Sequence, residues 1–290
     1  MVIFMSDYTG RVFAIFSDVH GFYEPFCAVL SDIKKRGITE VYSLGDNIGW
    51  GPDSSLILDS VIENNIKCIN GNHEDYVVLG EEPFSSYFNL MKRISNDWTI
   101  SLLRSDQIDF LKNNLHSYDL LVGGKNIGLC HFANDVRIDF KERSCWSYQF
   151  SIETEDENPQ EQFYYTNSSE QLSQIEKFSK FSSPMYNGYK SAYTDRLFDG
   201  KTVDFYDEII QGHVHFKLFT SDSNVIVRTI RACSMGFGVN DYGFASYIIV
   251  KEKKIGYDVE EVLVAFDMDK MVKRLSTIDF PEKKKVLKMF

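Results

Sequence analysis

Five of the chain's six histidines fall in short polar motifs that each follow an apolar run. Asp18-Val19-His20 comes after Val12 to Phe16, and Gly45-Asp46-Asn47 after Val41 to Leu44. Gly71-Asn72-His73-Glu74 follows Ile66 to Ile69, and a lone His131 follows Ile127 to Cys130. Gly212-His213-Val214-His215 closes the set behind Ile209-Ile210. Imidazole, carboxylate and amide oxygen are ligands for borderline-to-hard ions such as Mn²⁺, Fe or Zn²⁺, and the motifs contain no thiolate that would suit copper or an iron–sulfur cluster. Two such ions about 3.5–4 Å apart must share a ligand, and a carboxylate bridges well. Asp46, alone on the middle motif, is the natural bridge. Such a pair clamps a phosphate and lowers the pKa of a bridging water, so that hydroxide forms near neutral pH. The leaving oxygen then needs a proton donor, and His73, next to the ligand candidate Asn72, fits that part. Gly45, Gly71 and Gly212 let the backbone come close to the ions.

The elements that must position these groups alternate at first. Phe22 to Lys35 carries apolar residues at helical spacing, and Pro52 and Asp53 start a second helix over Ser54 to Glu63. With the three apolar runs this gives βαβαβ, hence parallel strands whose carboxyl ends gather the motifs. Phe84 to Leu115 reads as two helices broken near Ser101 to Asp106, and Leu120 to Cys130 as a hairpin around Gly123-Gly124. After the His213 motif, Lys217 to Thr220, Val225 to Ile230 and Phe244 to Val250 alternate like antiparallel strands, with Ile255 to Ala265 continuing that sheet. Met268 to Leu275 and Pro281 to Phe290 read as terminal helices. Ser151 to Glu176 contains no Lys or Arg and seven acidic residues. That shift marks a cap or insertion at about 134–200 within a single domain over 1–290.

Composition narrows the function. No apolar run approaches the roughly 18 residues of a membrane span. Met1 to Gly10 has neither the basic region nor the apolar stretch of a signal peptide. The five cysteines are scattered without a CxxC pair, as in a reduced, cytoplasmic protein. The formal net charge of −11 opposes binding to long nucleic acid but leaves a small anionic substrate open. Arg137, Lys141 and Arg143 could grip a second phosphate as readily as serve the surface, and Trp146, Tyr164 and Tyr165 fit packing under the cap better than base stacking. His116, outside every motif, reads as an ordinary residue.

The five motifs, in this order, resemble the calcineurin-like metallophosphoesterases, whose blocks are D-x-H, G-D, G-N-H-[DE], H and G-H-x-H. The resemblance implies a four-layer αββα sandwich of two mixed sheets flanked by helices. It implies that Asp18, His20, Asp46 and His215 bind one ion and Asp46, Asn72, His131 and His213 the other, with Mn or Fe favoured over Zn or Ni. His73 would be the general acid, and Asn47 a substrate contact beside Arg137 and Arg143. The protein Ser/Thr phosphatase branch carries an Arg shortly after its G-D block. Here Asn47-Ile48-Gly49-Trp50-Gly51-Pro52 has none and is similar to the small bacterial and archaeal branch. Members of that branch act on phosphodiesters, phosphomonoesters or dinucleoside polyphosphates. His131 is followed by Phe132 where much of the family has Gly. Two other readings share the fold: a binding scaffold resembling the retromer subunit, and a DNA nuclease, which needs a basic groove.

Overall fold

The apolar runs ending at Phe16, Leu44 and Ile69 fold as strands that bury residues on both faces. The computed structural model describes residues 8–80, 90–115, 117–131, 205–213, 215, 217–222, 225–235, 243–288 and 290. The cap at about 134–200, Arg137, Arg143 and His116 lie outside the described residues. β1 (Tyr8–Phe16), β2 (Glu40–Ser43) and β3 (Lys67–Cys68) run parallel, joined by α1 (Tyr23–Lys35) and α2 (Ser54–Glu63). α3 (Asn72–Leu79), α4 (Leu90–Leu102) and α5 (Ser105–Asn113) follow. β4 (Ser117–Val122) and β5 (Lys125–Cys130) form the expected hairpin. β6 (Glu208–Gln211), β7 (Leu218–Asp222) and β8 (Val225–Thr229) complete a second sheet, ordered β4-β5-β6-β8-β7. β9 (Phe244–Lys253) and β10 (Tyr257–Ala265) return to the first, ordered β10-β9-β1-β2-β3, before α6 (Met268–Thr277) and α7 (Lys283–Val286).

This corrects the single antiparallel sheet expected after the His213 motif. β8 pairs parallel with β6, while β9 pairs antiparallel with β1 in the other sheet. Alternation along a strand states which face is buried, not which sheet receives it. The two sheets pack through Phe13, Ile15 and Leu44 of the first against Ile127, Leu129 and Ile210 of the second. The outer face of the first sheet, with Phe16 and Ile249, takes Phe26, Val29 and Ile33 of α1 and Ile57 and Val61 of α2. Fully burying each such large side chain stabilises the fold by about 1.5–3 kcal/mol.

An ion network ties the ends of β1, β2 and β3. Arg11 donates to both oxygens of Glu40, each at 3.1 Å, and Tyr42 and Lys67 donate to the same carboxylate at 2.7 and 2.9 Å. Arg11 foremost, with Tyr42 and Lys67 and against the opposing pull of burial, lowers the Glu40 pKa from 4.5 to about 2. A depressed carboxyl contributes stability above its unfolded pKa and loses it as pH falls through the folded value. In urea titrations Glu40→Gln is therefore expected to be about 1–2 kcal/mol less stable than wild type at pH 7, after allowance for solvent screening. The gap should close as pH falls from about 4.5 toward 2. A pH-independent gap would show that the carboxylate's charge is not the cause.

Candidate metal centre

The motif loops all leave the carboxyl ends of parallel strands, β1, β2 and β3 in one sheet and β5 and β6 in the other, so they meet at one edge of the sandwich. Backbone bonds continue the sheet into them. His20 N–H donates to Asp46 C=O at 2.8 Å, Asp18 N–H to Gly45 C=O at 3.0 Å, and Gly212 N–H to His131 C=O at 3.0 Å. Between the sheets, His213 N–H donates to the Asp18 carboxylate at 3.0 Å, and His131 Nδ1 to the Leu44 carbonyl at 2.8 Å.

The backbone itself is unusual here. Eight non-glycine residues among those described have positive φ, and five of them are Asp18, His20, Asp46, His213 and His215, with φ between 50° and 70°. Left-handed backbone costs an ordinary residue about 1–2 kcal/mol, so such strain collects where a site needs the side chains aimed. A Cβ on Gly71 would fall on Asp46, and one on Gly212 on Ser17, so both glycines are required by close approach.

The side chains form two groups around Asp46. In the first, His20 Nε2 and His215 Nε2 lie 2.8 Å apart, and Asp18 Oδ1 is 3.7 Å from His20 and 3.5 Å from His215. In the second, His131 Nε2 lies 3.0 Å from His213 Nδ1 and 3.1 Å from Asn72 Oδ1. Asp46 Oδ2 stands between them, 3.8 Å from His20 Nε2 and 3.3 Å from His131 Nε2. All seven side chains belong to buried residues.

The donor chemistry fits a cation. The Leu44 carbonyl can only accept, so His131 keeps its proton on Nδ1 and turns the Nε2 lone pair inward. Asn72 Nδ2 donates to Tyr76 at 3.3 Å, which leaves its carbonyl oxygen facing the same point. Acceptor therefore faces acceptor, an arrangement that calls for a positive charge between them. Burial holds His20 and His213 neutral, with pKa values well below the usual range. Burial would lower His131 too, yet Asp46 raises its pKa to about 9, so without a cation a proton takes the Nε2 position, and an ion bound there would displace it. Burial opposes ionisation of Asp46, but His131 and His73 hold its pKa well below the usual carboxylate range. Burial raises that of Asp18.

His73 stands at the edge of this cluster. Its ring centroid is 4.9 Å from that of His20, and its backbone N–H donates to Asp46 Oδ1 at 2.9 Å. Desolvation lowers its pKa to about 4 against the pull of Asp46, with a smaller contribution from Lys92. Asn47 is placed differently from the expected substrate contact. Its side chain is fully buried and turned inward, accepting from Ser43 Oγ at 2.6 Å and donating to Cys68 Sγ at 3.2 Å.

Sequence reasoning gave Glu74 no role, yet it joins two motif loops. Its carboxylate accepts from the N–H groups of Asp46 at 2.8 Å, Asn47 at 2.7 Å and Gly71 at 2.8 Å. Burial and the nearby Asp46 push its pKa up to about 7, against the pull of those donors. The readable signal was a Glu three residues after the loop glycine, the reach-back position of a capping box. Ser234 likewise fastens the first loop, donating from Oγ to the Val19 carbonyl at 2.5 Å.

Residues 11–217, which contain all five motifs, match the calcineurin-like phosphoesterase family. The chain belongs to that family. The phosphoesterase fold is shared with the hypothetical protein PH1004 from Pyrococcus horikoshii, at TM-score 0.60 and 13% identity over 95% of this chain and 97% of that one. It is shared too with a metallophosphoesterase from Sphaerobacter thermophilus, at TM-score 0.58 and 17% identity over 97% and 98% of the two chains. At these identities the likeness speaks for the fold alone. The chain is 34% identical over 137 residues to the uncharacterized protein MJ0912 of Methanocaldococcus jannaschii, a match covering 47% of this chain and 53% of that relative. The chain thus spans about half the length of the curated relative it matches.

Proposed function

We propose that this chain is a two-metal phosphoesterase that hydrolyses phosphodiester or phosphomonoester bonds of a small nucleotide-type molecule such as a dinucleoside polyphosphate. The observation that carries the reading is the sharing of Asp46. Donor atoms of Asp18, His20 and His215 lie within 4.8 Å of one another, those of Asp46, His131 and His213 do likewise, and Asp46 also groups with His20 and His73. Asp18, His20, Asp46 and His215 would hold one ion, and Asp46, Asn72, His131 and His213 the other. Nitrogen and oxygen donors without thiolate suit Mn or Fe best, then Zn or Ni. Bound there, such a pair supplies charge to clamp a phosphoryl group and to lower the pKa of water.

The chain's own residues do the rest. The Leu44 carbonyl and the Tyr76 hydroxyl orient His131 and Asn72, and Glu74 fixes the loops carrying Asp46 and Asn72. His73, at the edge of the cluster, would give its proton to the leaving oxygen once the negative charge of a bound phosphate raises its pKa from about 4. The complete donor set favours an enzyme over a scaffold, and the net charge of −11 favours a small substrate over DNA. Among the described residues no helix is long and apolar enough to cross a membrane, and the four described cysteines are free thiols. We place the protein in the cytoplasm on that thiol content.

The test is metal-stripped protein reloaded separately with Mn²⁺, Fe²⁺, Ni²⁺ or Zn²⁺. It would be assayed on a chromogenic phosphomonoester, a chromogenic phosphodiester and a dinucleoside polyphosphate. Metal-dependent turnover with two ions bound per chain is expected. A folded chain that binds no metal would hand the case to the scaffold reading.

A further inference from the structure

Asp53 is the N-cap of α2, yet its carboxylate makes no bond to its own helix. An aspartate in that place ordinarily accepts from the first-turn N–H groups that follow it. Here Asp53 Oδ2 accepts instead from the N–H of Tyr23, the first residue of α1, at 3.3 Å. The N-cap of α1 itself, Phe22, has no side-chain oxygen to offer. A third element takes the rest of the carboxylate. Arg274 of α6 donates to Asp53 from Nη1 at 3.0 Å and from Nη2 at 2.6 Å. The same guanidinium donates to Glu24, in the first turn of α1, from Nε at 2.6 Å and Nη2 at 2.7 Å. Asp53 is buried, so its charge depends on that partner.

The two helices joined in this way are those that follow the first two motif loops. The loop of Asp18 and His20 runs from β1 to α1, and that of Asp46 from β2 to α2. The sheet holds their strand ends, and Arg274 holds their helix ends. In between, the loops are laced together. Gly21 N–H donates to the Asn47 carbonyl at 3.0 Å, Gly51 N–H to that of His20 at 2.7 Å, and Asp53 N–H to that of Gly21 at 3.0 Å. A Cβ on Gly51 would meet the Gly21 oxygen at 2.4 Å, so bare backbone lies on bare backbone. Phe22 and Trp50, one from each side, pack with Met271, Leu275 and Phe280 of the C-terminal segment. Arg274 and that segment lie beyond residues 11–217, which match the family.

We propose that Arg274 is a positioning residue for the metal centre, whose guanidinium sets the spacing of the two loops that carry Asp18, His20 and Asp46. The inference rests on the two-metal reading. A planar fork suits the task, since it holds two carboxylates at once in a fixed geometry, which a single ammonium does not. Of the groups assigned to the first ion, Asp18, His20 and Asp46 sit on the stapled loops. The second ion has Asp46 alone there, because Asn72, His131 and His213 follow β3, β5 and β6. Loss of the guanidinium therefore loosens the first ion more than the second.

Two measurements on the full chain decide this, one of them without metal. In the metal-free protein, Arg274→Gln should speed amide exchange at least about 10-fold at Gly51 and Asp53, whose N–H groups lace the loops. Exchange at Gly212, whose N–H bonds to His131, should not change. Titration with Mn²⁺ alone should show one of two ions bound about 10–100-fold more weakly, with the exchange-coupled spin signal of the pair lost and the other ion kept. Arg274→Lys should recover part of both effects. Glu24→Gln, which loosens one arm only, should reproduce them in smaller measure even if Arg274→Gln fails to fold. Exchange that rises alike at Gly51, Asp53 and Gly212, or two ions weakened equally, would make Arg274 a general prop and overturn the proposal. Exchange and affinity left as in wild type would overturn it too. The two readings fail separately. A wild-type chain that binds no Mn²⁺ sinks the two-metal reading, and the exchange pattern still decides whether Arg274 spaces the loops. Two ions held alike by wild type and variant sink the proposal alone.

Discussion

Asp46→Asn is expected to lower turnover by at least about 10³-fold and to leave a folded, metal-poor protein. The magnitude follows from the several kcal/mol that paired ions contribute, each 1.4 kcal/mol being a factor of about ten in rate. Among the described residues Asp46 is the carboxylate that reaches a histidine of both donor groups, 3.8 Å from His20 and 3.3 Å from His131. An amide there removes the negative charge that both ions would share. The fold should accept it readily. Asn tolerates the left-handed backbone that Asp46 adopts at φ 53°. Its amide oxygen can still accept the His73 N–H now bound at 2.9 Å, and its amine can donate to the His131 Nε2 lone pair. Elemental analysis of metal per chain, a thermal melt and kcat on the preferred substrate together check the claim. Two tightly held ions and normal kcat in the variant would remove Asp46 from the bridging position.

How much of this was legible follows from what each signal encodes. The order of the five motifs after apolar runs is enough to gather them, because parallel strands must present their carboxyl ends together. Strand lengths were less readable. β3 pairs over Lys67–Cys68 alone, although its apolar run extends from Ile66 to Ile69. Hydrophobic alternation records burial and is silent about partners, which is why β9 and β10 went to the wrong sheet. The resemblance implied Asn47 as a substrate contact, yet backbone direction decides whether a neighbour of a site residue faces in or out, and here Ser43 and Cys68 take it inward. The role of Glu74 depends on three N–H groups contributed by two loops, of which the capping-box spacing states only that of Gly71.

Gly49→Ala and His73→Ala together test whether the glycine after the Asp46 motif exists for the histidine. Gly49 has φ 120°, and a Cβ on it would fall on His73 Nδ1, with Cε1 and Cγ at 3.0 Å. The imidazole is thus seated against bare backbone, and a single methyl group must push it aside. Removing a positioned general acid lowers rate by about 10²–10⁴-fold, so His73→Ala should fall in that range. Gly49→Ala should lower kcat by about 10–100-fold with KM little changed, because the ring is displaced and not deleted. The alanine also strains its backbone by about 1–3 kcal/mol, so a thermal melt must show both single variants folded at the assay temperature. The decisive protein is the double variant. If Gly49 acts through His73, the methyl group has nothing left to displace, and the double variant should be no slower than His73→Ala alone. Multiplied losses would mean that the strained backbone disturbs the Asp46 loop instead.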